Sequence, residues 1–135
     1  MKPTEFPEVA LFPEHRYALA QPRGEVKGET IVAYGRAMAY HPDWQPGFTE
    51  VWDATLSESV DMLPSDIPSL KTLEEETQEL LKGSTTIIAV NRPMVRMSIE
   101  FYAALVRPFG RKIVSAKTQK EVATLLGIDE LPVLT

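Results

Sequence analysis

Apolar positions in the first third of the chain change from a period of two to a helical period. Residues 9–12 form a short apolar run, and residues 16–21 alternate well enough to predict a second strand. Pro13 and Pro22 stop these runs, which favours a β-hairpin at a sheet edge, because proline cannot donate to a strand ladder. From Glu29 onward the apolar residues recur every three or four positions, which predicts a helix that Pro42 ends.

The rest of the chain alternates strand patterns with helical patterns. Strands are predicted over residues 48–53, 85–90 and 111–115, and helices from Ser65 or Asp66 to residue 81, over residues 94–107 and over residues 118–126. About ten residues after residue 53 are predicted to be a loop. Thr118 and Glu121 have the spacing of a capping box at the start of the last helix.

Strands that alternate with helices form β-α-β units, whose strands run parallel within one sheet. The pattern therefore predicts an α/β fold with a single mixed, mostly parallel five-stranded sheet and about four helices. We expect residues 1–8, with two prolines and three charges, to form a flexible N-terminal arm, and residues 9–135 to form one domain.

The composition narrows the class of function. The chain of 135 residues is 44% apolar and 24% charged, as globular proteins are, and its formal net charge of -5 argues against binding to nucleic acid. It has no cysteine, which excludes disulfides, thiolate metal sites and a cysteine nucleophile. No apolar run approaches the roughly 20 residues of a membrane span, and residues 1–7 do not resemble a signal peptide. We therefore expect a cytoplasmic protein without a membrane span.

The order of these elements, together with several short segments, resembles the STAS-like domains, and more closely their SpoIIAA-like branch of small bacterial proteins. The segments are residues 41–48 (HPDWQPGF), 50–55 (EVWDAT), 87–90 (IIAV) and 118–127 (TQKEVATLLG), with Arg96-Met97 and Phe101-Tyr102 in the expected order. The resemblance covers roughly residues 9–128. It implies a non-catalytic domain that takes part in protein–protein interaction or regulation.

Ser65 lies near the place where anti-sigma-factor antagonists of this family carry a phosphorylated serine. The family's Asp-Ser-Ser-Gly-like run is replaced here by residues 62–69 (MLPSDIPS), which lack the glycine and the serine pair. Ser65 is therefore a candidate phosphorylation site whose alternative role is to cap the second helix through its hydroxyl oxygen.

Polar residues follow three of the predicted parallel strands, at the edge where open α/β sheets bind ligands. Asp53, Asn91 and Ser115 end or follow these strands, and Arg92 and Lys117 beside them could hold an anion. The alternative is that Asp53 and Asn91 cap loops and that both cations face solvent. In that case Asp53→Asn should change the free energy of unfolding by less than about 0.5 kcal/mol, as ordinary surface substitutions do.

No constellation in the sequence predicts catalysis, a metal or a cofactor. The chain has two histidines, His15 and His41. Residues 41–43 (HPD) are more typical of a helix-ending turn than of a catalytic pair. Glu75 and Glu79 share a helix face, but like charges at this spacing are usually solvated. Glycine-rich phosphate loops and nucleophile elbows are also lacking. We expect a protein that is not an enzyme.

Charge is divided along the chain. Residues 50–79 contain nine acids and one base, whereas residues 92–120 contain seven bases and one acid. A protein polarised in this way can associate with a partner through complementary faces. The alternative is that neighbouring helices of one chain offset each other's charge.

The predicted third helix, residues 94–107, carries two apolar stripes, whereas a helix that covers a sheet needs only one. The second stripe consists of Val95, Ile99, Tyr102 and Val106. It predicts a homodimer interface, unless the N-terminal arm, through Phe6 or Phe12, or a neighbouring helix of the same chain covers it. The rival to protein binding is the carriage of a small, largely apolar ligand. A pocket for it would be lined by Tyr34, Met38, Trp44, Trp52, Met62, Met94, Met97 and Phe101, which are more typical of a plain core.

Overall fold

A computed structural model of the chain describes residues 8–92, 107 and 110–134. Its elements are, in chain order, β1 (Ala10–Phe12), β2 (Tyr17–Ala20), β3 (Gly24–Lys27), α1 (Gly28–Ala39), β4 (Thr49–Asp53), β5 (Ser57–Asp61), α2 (Ile67–Leu81), β6 (Thr85–Ala89), β7 (Lys112–Ala116) and α3 (Gln119–Leu126). A 3₁₀ turn over Pro64–Asp66 precedes α2. Within this described part of the chain, each helix is too short or too polar to span a membrane.

The main sheet has five strands in the order β1-β2-β4-β6-β7. β1 pairs antiparallel with β2, and all the other neighbours pair in parallel. The predicted α/β class, with a mixed and mostly parallel five-stranded sheet, is therefore confirmed. Three α-helices fall within the described residues, against about four predicted. The predicted helix over residues 94–107 lies outside them except for Arg107, as do residues 1–7 of the predicted arm.

A second, two-stranded sheet pairs β3 with β5 in parallel. The prediction of a loop after residue 53 is therefore wrong, because that stretch contains β5. The pairing sets Val26, which is 3% exposed, opposite Val60. Each of these strands has only one apolar side chain, so neither shows the alternation that identifies a strand in a single sequence.

Alternate residues of the main sheet point to opposite faces, and each face has its own buried cluster of apolar side chains. The cluster covered by α3 is built on Tyr17, Leu19, Val51, Ile87, Ala89, Ala116, Val122 and Leu131. The cluster covered by α1 and α2 contains Ala18, Ala20, Met38, Ala39, Trp44, Phe48 and Leu81, with Tyr34 and Trp52 packed against it. The two helical layers therefore lie on opposite sides of one sheet.

The side chains suggested for a ligand pocket lie mostly in the cluster under α1 and α2. Met38 is fully buried, and the indole N–H of Trp44 donates to the Leu80 carbonyl at 2.9 Å. Tyr34 and Trp52 pack edge to face, with ring centroids 6.3 Å apart. Met38 and Trp44 are thus core residues, and Tyr34 and Trp52 are half-buried against the same cluster. Of the rest, Met62 is half-buried, and Met94, Met97 and Phe101 lie outside the described residues.

α1 and α2 pack directly on each other. A Cβ atom at Gly35 would lie only 2.8 Å from Leu73 Cδ2, so a larger residue there would force the Leu73 side chain to shift. On the exposed side of the same contact, Arg36 donates to both carboxylate oxygens of Glu76 at 2.9 Å. This hydrogen-bonded guanidinium holds the pKa of Glu76 below its usual range.

The start of α3 forms one half of the predicted capping box. Thr118 Oγ1 accepts a hydrogen bond from the Glu121 backbone N–H at 3.1 Å. The Glu121 carboxylate accepts in turn from the Lys117 backbone N–H at 3.2 Å, one residue before the cap. Gly127 then ends the helix in the left-handed region, at a φ of 73°.

Candidate functional site

The carboxyl ends of β2, β4, β6 and β7 meet at one edge of the main sheet, because these strands are parallel neighbours. The residues predicted to bind a ligand there have very different environments. Asp53 is fully buried, Arg92 is half-buried, and Asn91, Ser115 and Lys117 are exposed. In the described part of the chain, no hydrogen bond or ion pair joins the three exposed side chains to Asp53.

Asp53 is the centre of a buried polar group that we call the Asp53 cluster, formed with Gln21, Thr55 and Gln119. Its Oδ2 accepts from Gln21 Nε2 at 3.0 Å and from Gln119 Nε2 at 2.8 Å. Its Oδ1 accepts from the Thr55 backbone N–H at 3.0 Å and from Thr55 Oγ1 at 2.6 Å. All four donors are uncharged, and together they occupy most of the lone-pair positions of the carboxylate.

Residues 131–134, which follow α3, lie across this cluster. Gln21 Nε2 donates to the Pro132 carbonyl at 2.8 Å, and Gln21 Oε1 accepts from the Leu134 backbone N–H at 2.6 Å. Arg23 donates to the Leu134 carbonyl at 2.6 Å. Leu131 is 3% exposed within the apolar cluster under α3. This part of the strand-end edge is thus filled by the chain itself.

Arg92 binds a strand of the second sheet. Its guanidinium donates to the Ser57 carbonyl at 2.5 Å and to Ser57 Oγ at 3.3 Å. Ser57 Oγ itself donates to the Ala54 carbonyl at 2.6 Å. Arg92 therefore connects the end of β6 to the start of β5. Lys117, which follows β7, is exposed to solvent.

A second buried polar group, which we call the Arg111 cluster, contains Glu50, Glu74, Thr86 and Arg111. It lies between the main sheet and α2, and all four side chains are at most 7% exposed. Arg111 donates to Glu50 Oε1 at 2.8 Å and also to Glu74 Oε1 and Thr86 Oγ1. Thr86 Oγ1 donates to Glu50 Oε1 at 3.1 Å, as does the indole N–H of Trp52 at 2.8 Å.

The sequence contains a signal for the Arg111 cluster that charge counting overlooks. Glu74 belongs to a run of acids that reads as a solvated helix face. It also lies four residues after Leu70 and three before Thr77, which are both on the buried stripe of α2. A charged residue in an apolar stripe indicates a buried partner of opposite charge, and Arg111 is that partner.

The other residues that the sequence suggested as functional either make only local contacts or lie outside the described residues. His41 Nδ1 accepts from the Asp43 backbone N–H at 3.0 Å, which is a turn contact and not a pairing with the Asp43 carboxylate. Ser65 is exposed within the 3₁₀ turn. The prediction that Ser65 caps the second helix is wrong, because Asp66 is the N-cap residue of α2 and no side-chain capping hydrogen bond is formed there. The Asp66 carboxylate instead accepts from the Leu63 backbone N–H at 2.8 Å, before the 3₁₀ turn. The predicted dimer residues Val95, Ile99, Tyr102 and Val106 are not among the described residues.

An open cleft of about 610 Å³ lies between the first turns of α1 and α2. Its lining includes the carboxylates of Glu29 and Asp66, and its cation, Arg36, is already bound by Glu76. Within residues 8–92, 107 and 110–134, no three His, Asp or Glu side chains converge as metal ligands would. The cleft therefore lacks the converging polar groups of a built site.

Neither a protein-family model, nor a curated protein sequence, nor a solved structure matches this chain. The resemblance to STAS-like domains thus stays a prediction from the sequence.

Proposed function

We propose that this protein is a non-catalytic interaction or regulatory module of the STAS-like type, which binds a protein partner through oppositely charged surfaces. The observation that carries the proposal is where the charges of the acidic segment, residues 50–79, and of the basic segment, residues 92–120, lie in the fold. Some of their charges are used inside the molecule, where Arg111 pairs with Glu50 and Glu74. Most of the other described charges of these two segments are exposed, and among the described residues the two segments form no further ion pair with each other.

The exposed charges form two surfaces on different sides of the sheet. We call Glu75 and Glu79, four residues apart on α2, the acidic surface, and Lys117 and Lys120, at the start of α3, the basic surface. α2 and α3 cover opposite faces of the main sheet, so the two surfaces are separated. Separated charges steer a complementary partner and set its orientation.

The state of Asp53 supports a non-catalytic role. A general acid or base must reach the proton that it transfers, and Asp53 is fully buried with four protein donors on its oxygens. Its hydrogen bonds instead join β2, β4 and α3. Met38 and Trp44 are buried in the core, and Tyr34 and Trp52 pack against it, which favours protein binding over the carriage of an apolar ligand.

Native mass spectrometry of the tagged chain, isolated from its own cells at low ionic strength, tests the proposal. We expect an additional protein chain, either a second copy or another protein, that dissociates at 1 M salt, where the screening length is about 3 Å. Lys117→Glu/Lys120→Glu should lose that chain. The matched control is Lys117→Arg/Lys120→Arg, which keeps both positive charges at the same exposed positions and should retain the partner.

Two outcomes would contradict the proposal. A small molecule bound to an otherwise single chain would favour the rival function as a ligand carrier. A single bare chain at low ionic strength, or a protein partner held equally by wild type and the Lys117→Glu/Lys120→Glu variant, would remove the role of the charged surfaces.

A further inference from the structure

The fold holds residues 131–134 mainly through their backbone. The side-chain amide of Gln21 donates to the Pro132 carbonyl at 2.8 Å and accepts from the Leu134 N–H at 2.6 Å. This pair of bonds, on both sides of residue 133, is the pattern that a neighbouring strand makes with an extended chain. Val133, between the two bonds, is 54% exposed. The contact thus places no requirement on the side chain at that position.

Two leucines provide the apolar part of the contact. Leu131 is buried among Tyr17, Leu19 and Val122, and Leu134 packs against the same cluster while partly exposed. Side-chain specificity is therefore limited to two apolar positions that are three residues apart. An extended peptide with this spacing carries every feature that the molecule contacts.

Gln21 is held in its orientation by residues that do not belong to the bound segment. Its Nε2 group also donates to Asp53, whose Oδ2 accepts in addition from Gln119 on α3. An amide whose N–H₂ group is fixed by a carboxylate must present its oxygen in the opposite direction, towards the Leu134 N–H. The receptor side of the contact is therefore preorganised by the Asp53 cluster.

We propose that the surface formed by Gln21, Arg23 and the adjoining apolar cluster is a binding site for an extended peptide of a partner protein, and that residues 131–134 occupy it as a displaceable internal ligand. The peptide class is an extended segment with two leucine-like residues three positions apart. The inference rests on the proposed interaction function and names a second surface for it. The occupant's chemistry is given by residues 131–134 themselves.

Residues 131–134 are covalently part of the chain, so they occupy the proposed peptide site in the structure. A tethered segment has an effective concentration in the millimolar range, so a peptide added in trans must compete with it. The apparent affinity for the added peptide is reduced by the fraction of molecules in which the site is open. Weakening the internal ligand should therefore strengthen binding of the added peptide.

Fluorescence anisotropy with a labelled peptide of the sequence Asp-Glu-Leu-Pro-Val-Leu-Thr, and the full chain, tests this directly. Leu131→Ala/Leu134→Ala should bind the peptide at least about tenfold more tightly than wild type does. Adding Gln21→Ala to that variant should reverse the gain, whereas adding Gln45→Ala, an exposed glutamine, should leave it unchanged. A scrambled peptide of the same composition controls for non-specific binding.

Hydrogen exchange on the wild-type chain keeps the proposal testable if the double variant does not fold. The Leu134 amide should exchange faster than the amides of β4, and excess peptide should speed its exchange further while leaving β4 unchanged. Exchange of Leu134 only at the rate of β4 would show that the segment leaves with global unfolding, which overturns the proposal. Tight peptide binding that is insensitive to Gln21→Ala, or exchange of the segment between two copies without peptide binding, would also overturn it. None of these results bears on the charged surfaces, whose test uses different residues.

Discussion

Glu50 and Asp53 lie three residues apart on β4, point to opposite faces of the sheet and are both buried, yet the fold stabilises them differently. Glu50 shares the guanidinium of Arg111 with Glu74. Asp53 has no cation among its hydrogen-bond partners and is held by two amides, a hydroxyl and a backbone N–H. One strand thus presents both solutions to the same problem, a carboxylate removed from water.

The difference lies in how each solution depends on a single residue. In the Arg111 cluster one cation serves two carboxylates, so its removal takes the opposite charge from both of them at once. In the Asp53 cluster four dipoles divide the same task, so the loss of one leaves the others in place. We therefore expect the ionic cluster to be the more fragile of the two, although its individual contacts are stronger.

The largest effect is expected from Arg111→Met. It removes the cation between Glu50 and Glu74 and should lower the free energy of unfolding by about 3–5 kcal/mol, as the loss of one partner of a buried ion pair does. Urea denaturation measures the change. Lys112→Met, at the next and exposed position, is the control and should stay within about 0.5 kcal/mol. Equal effects of the two changes would show that the cluster is open to water.

The next effect is expected from Asp53→Asn. The new amide would place an N–H₂ group opposite donors that now bind a carboxylate oxygen, and we expect a loss of about 1–3 kcal/mol. The smaller change predicted from the sequence assumed a surface position, whereas Asp53 is fully buried. Asp43→Asn, an exposed turn position, provides the comparison in the same thermal or urea unfolding experiment. A midpoint as unaffected as that of the control would place Asp53 in contact with solvent.

A smaller effect is expected from Thr118→Ala, which weakens the helix that carries Gln119 into the Asp53 cluster. The Glu121 N–H would lose its acceptor, and loss of an N-cap hydroxyl lowers stability by about 1 kcal/mol. Thr118→Ser keeps the hydroxyl and should retain most of the stability. If the alanine and serine variants unfold at the same urea concentration, the capping contact does not form in solution.

The smallest effect is expected from the exposed pair of Arg36 and Glu76, the solvent-facing counterpart of the Arg111 cluster. Because the pKa of Glu76 is lowered in the folded state, its contribution is present above the usual glutamate pKa of about 4.3 and is lost as the pH falls through the lowered value. Glu76→Gln should therefore reduce stability near pH 7 by about 0.2–1 kcal/mol, and less at 1 M salt. At a pH below the lowered pKa, wild type and variant should converge. A difference that persists there would assign the effect to packing.

The main sheet could be predicted from the sequence because the residue pattern of each strand identifies it without reference to its neighbours. Residues 85–90 are β-branched and apolar on both faces, and β6 is found at Thr85–Ala89. The same holds for α3, where the Thr118 and Glu121 spacing identifies the helix start. β3 and β5 lack such a signal, because each carries a single apolar side chain, Val26 or Val60, whose environment depends on the other strand.

The site at the strand ends was likewise predictable only in part. The sequence identified Asp53 as a residue at the end of a strand, since a polar residue after an apolar run marks that position. It could not identify Gln21 and Gln119 as its partners, because uncharged amides have no characteristic spacing and Gln119 lies 66 positions along the chain from Asp53. Glu74 and Arg111 show the reverse case, in which a buried charge on an apolar stripe was a readable signal.

The two bonds between Gln21 and residues 132 and 134 span 111 and 113 positions of the chain. During synthesis β2 leaves the ribosome long before these residues exist. At roughly 5–20 residues per second, the interval is about 5 to 20 s. For that time the Gln21 amide lacks its partners at residues 132 and 134, and the apolar cluster that receives Leu131 stays incomplete until Val122 has been made. During synthesis, the backbone of another extended chain can therefore meet the Gln21 amide before residues 131–134 do.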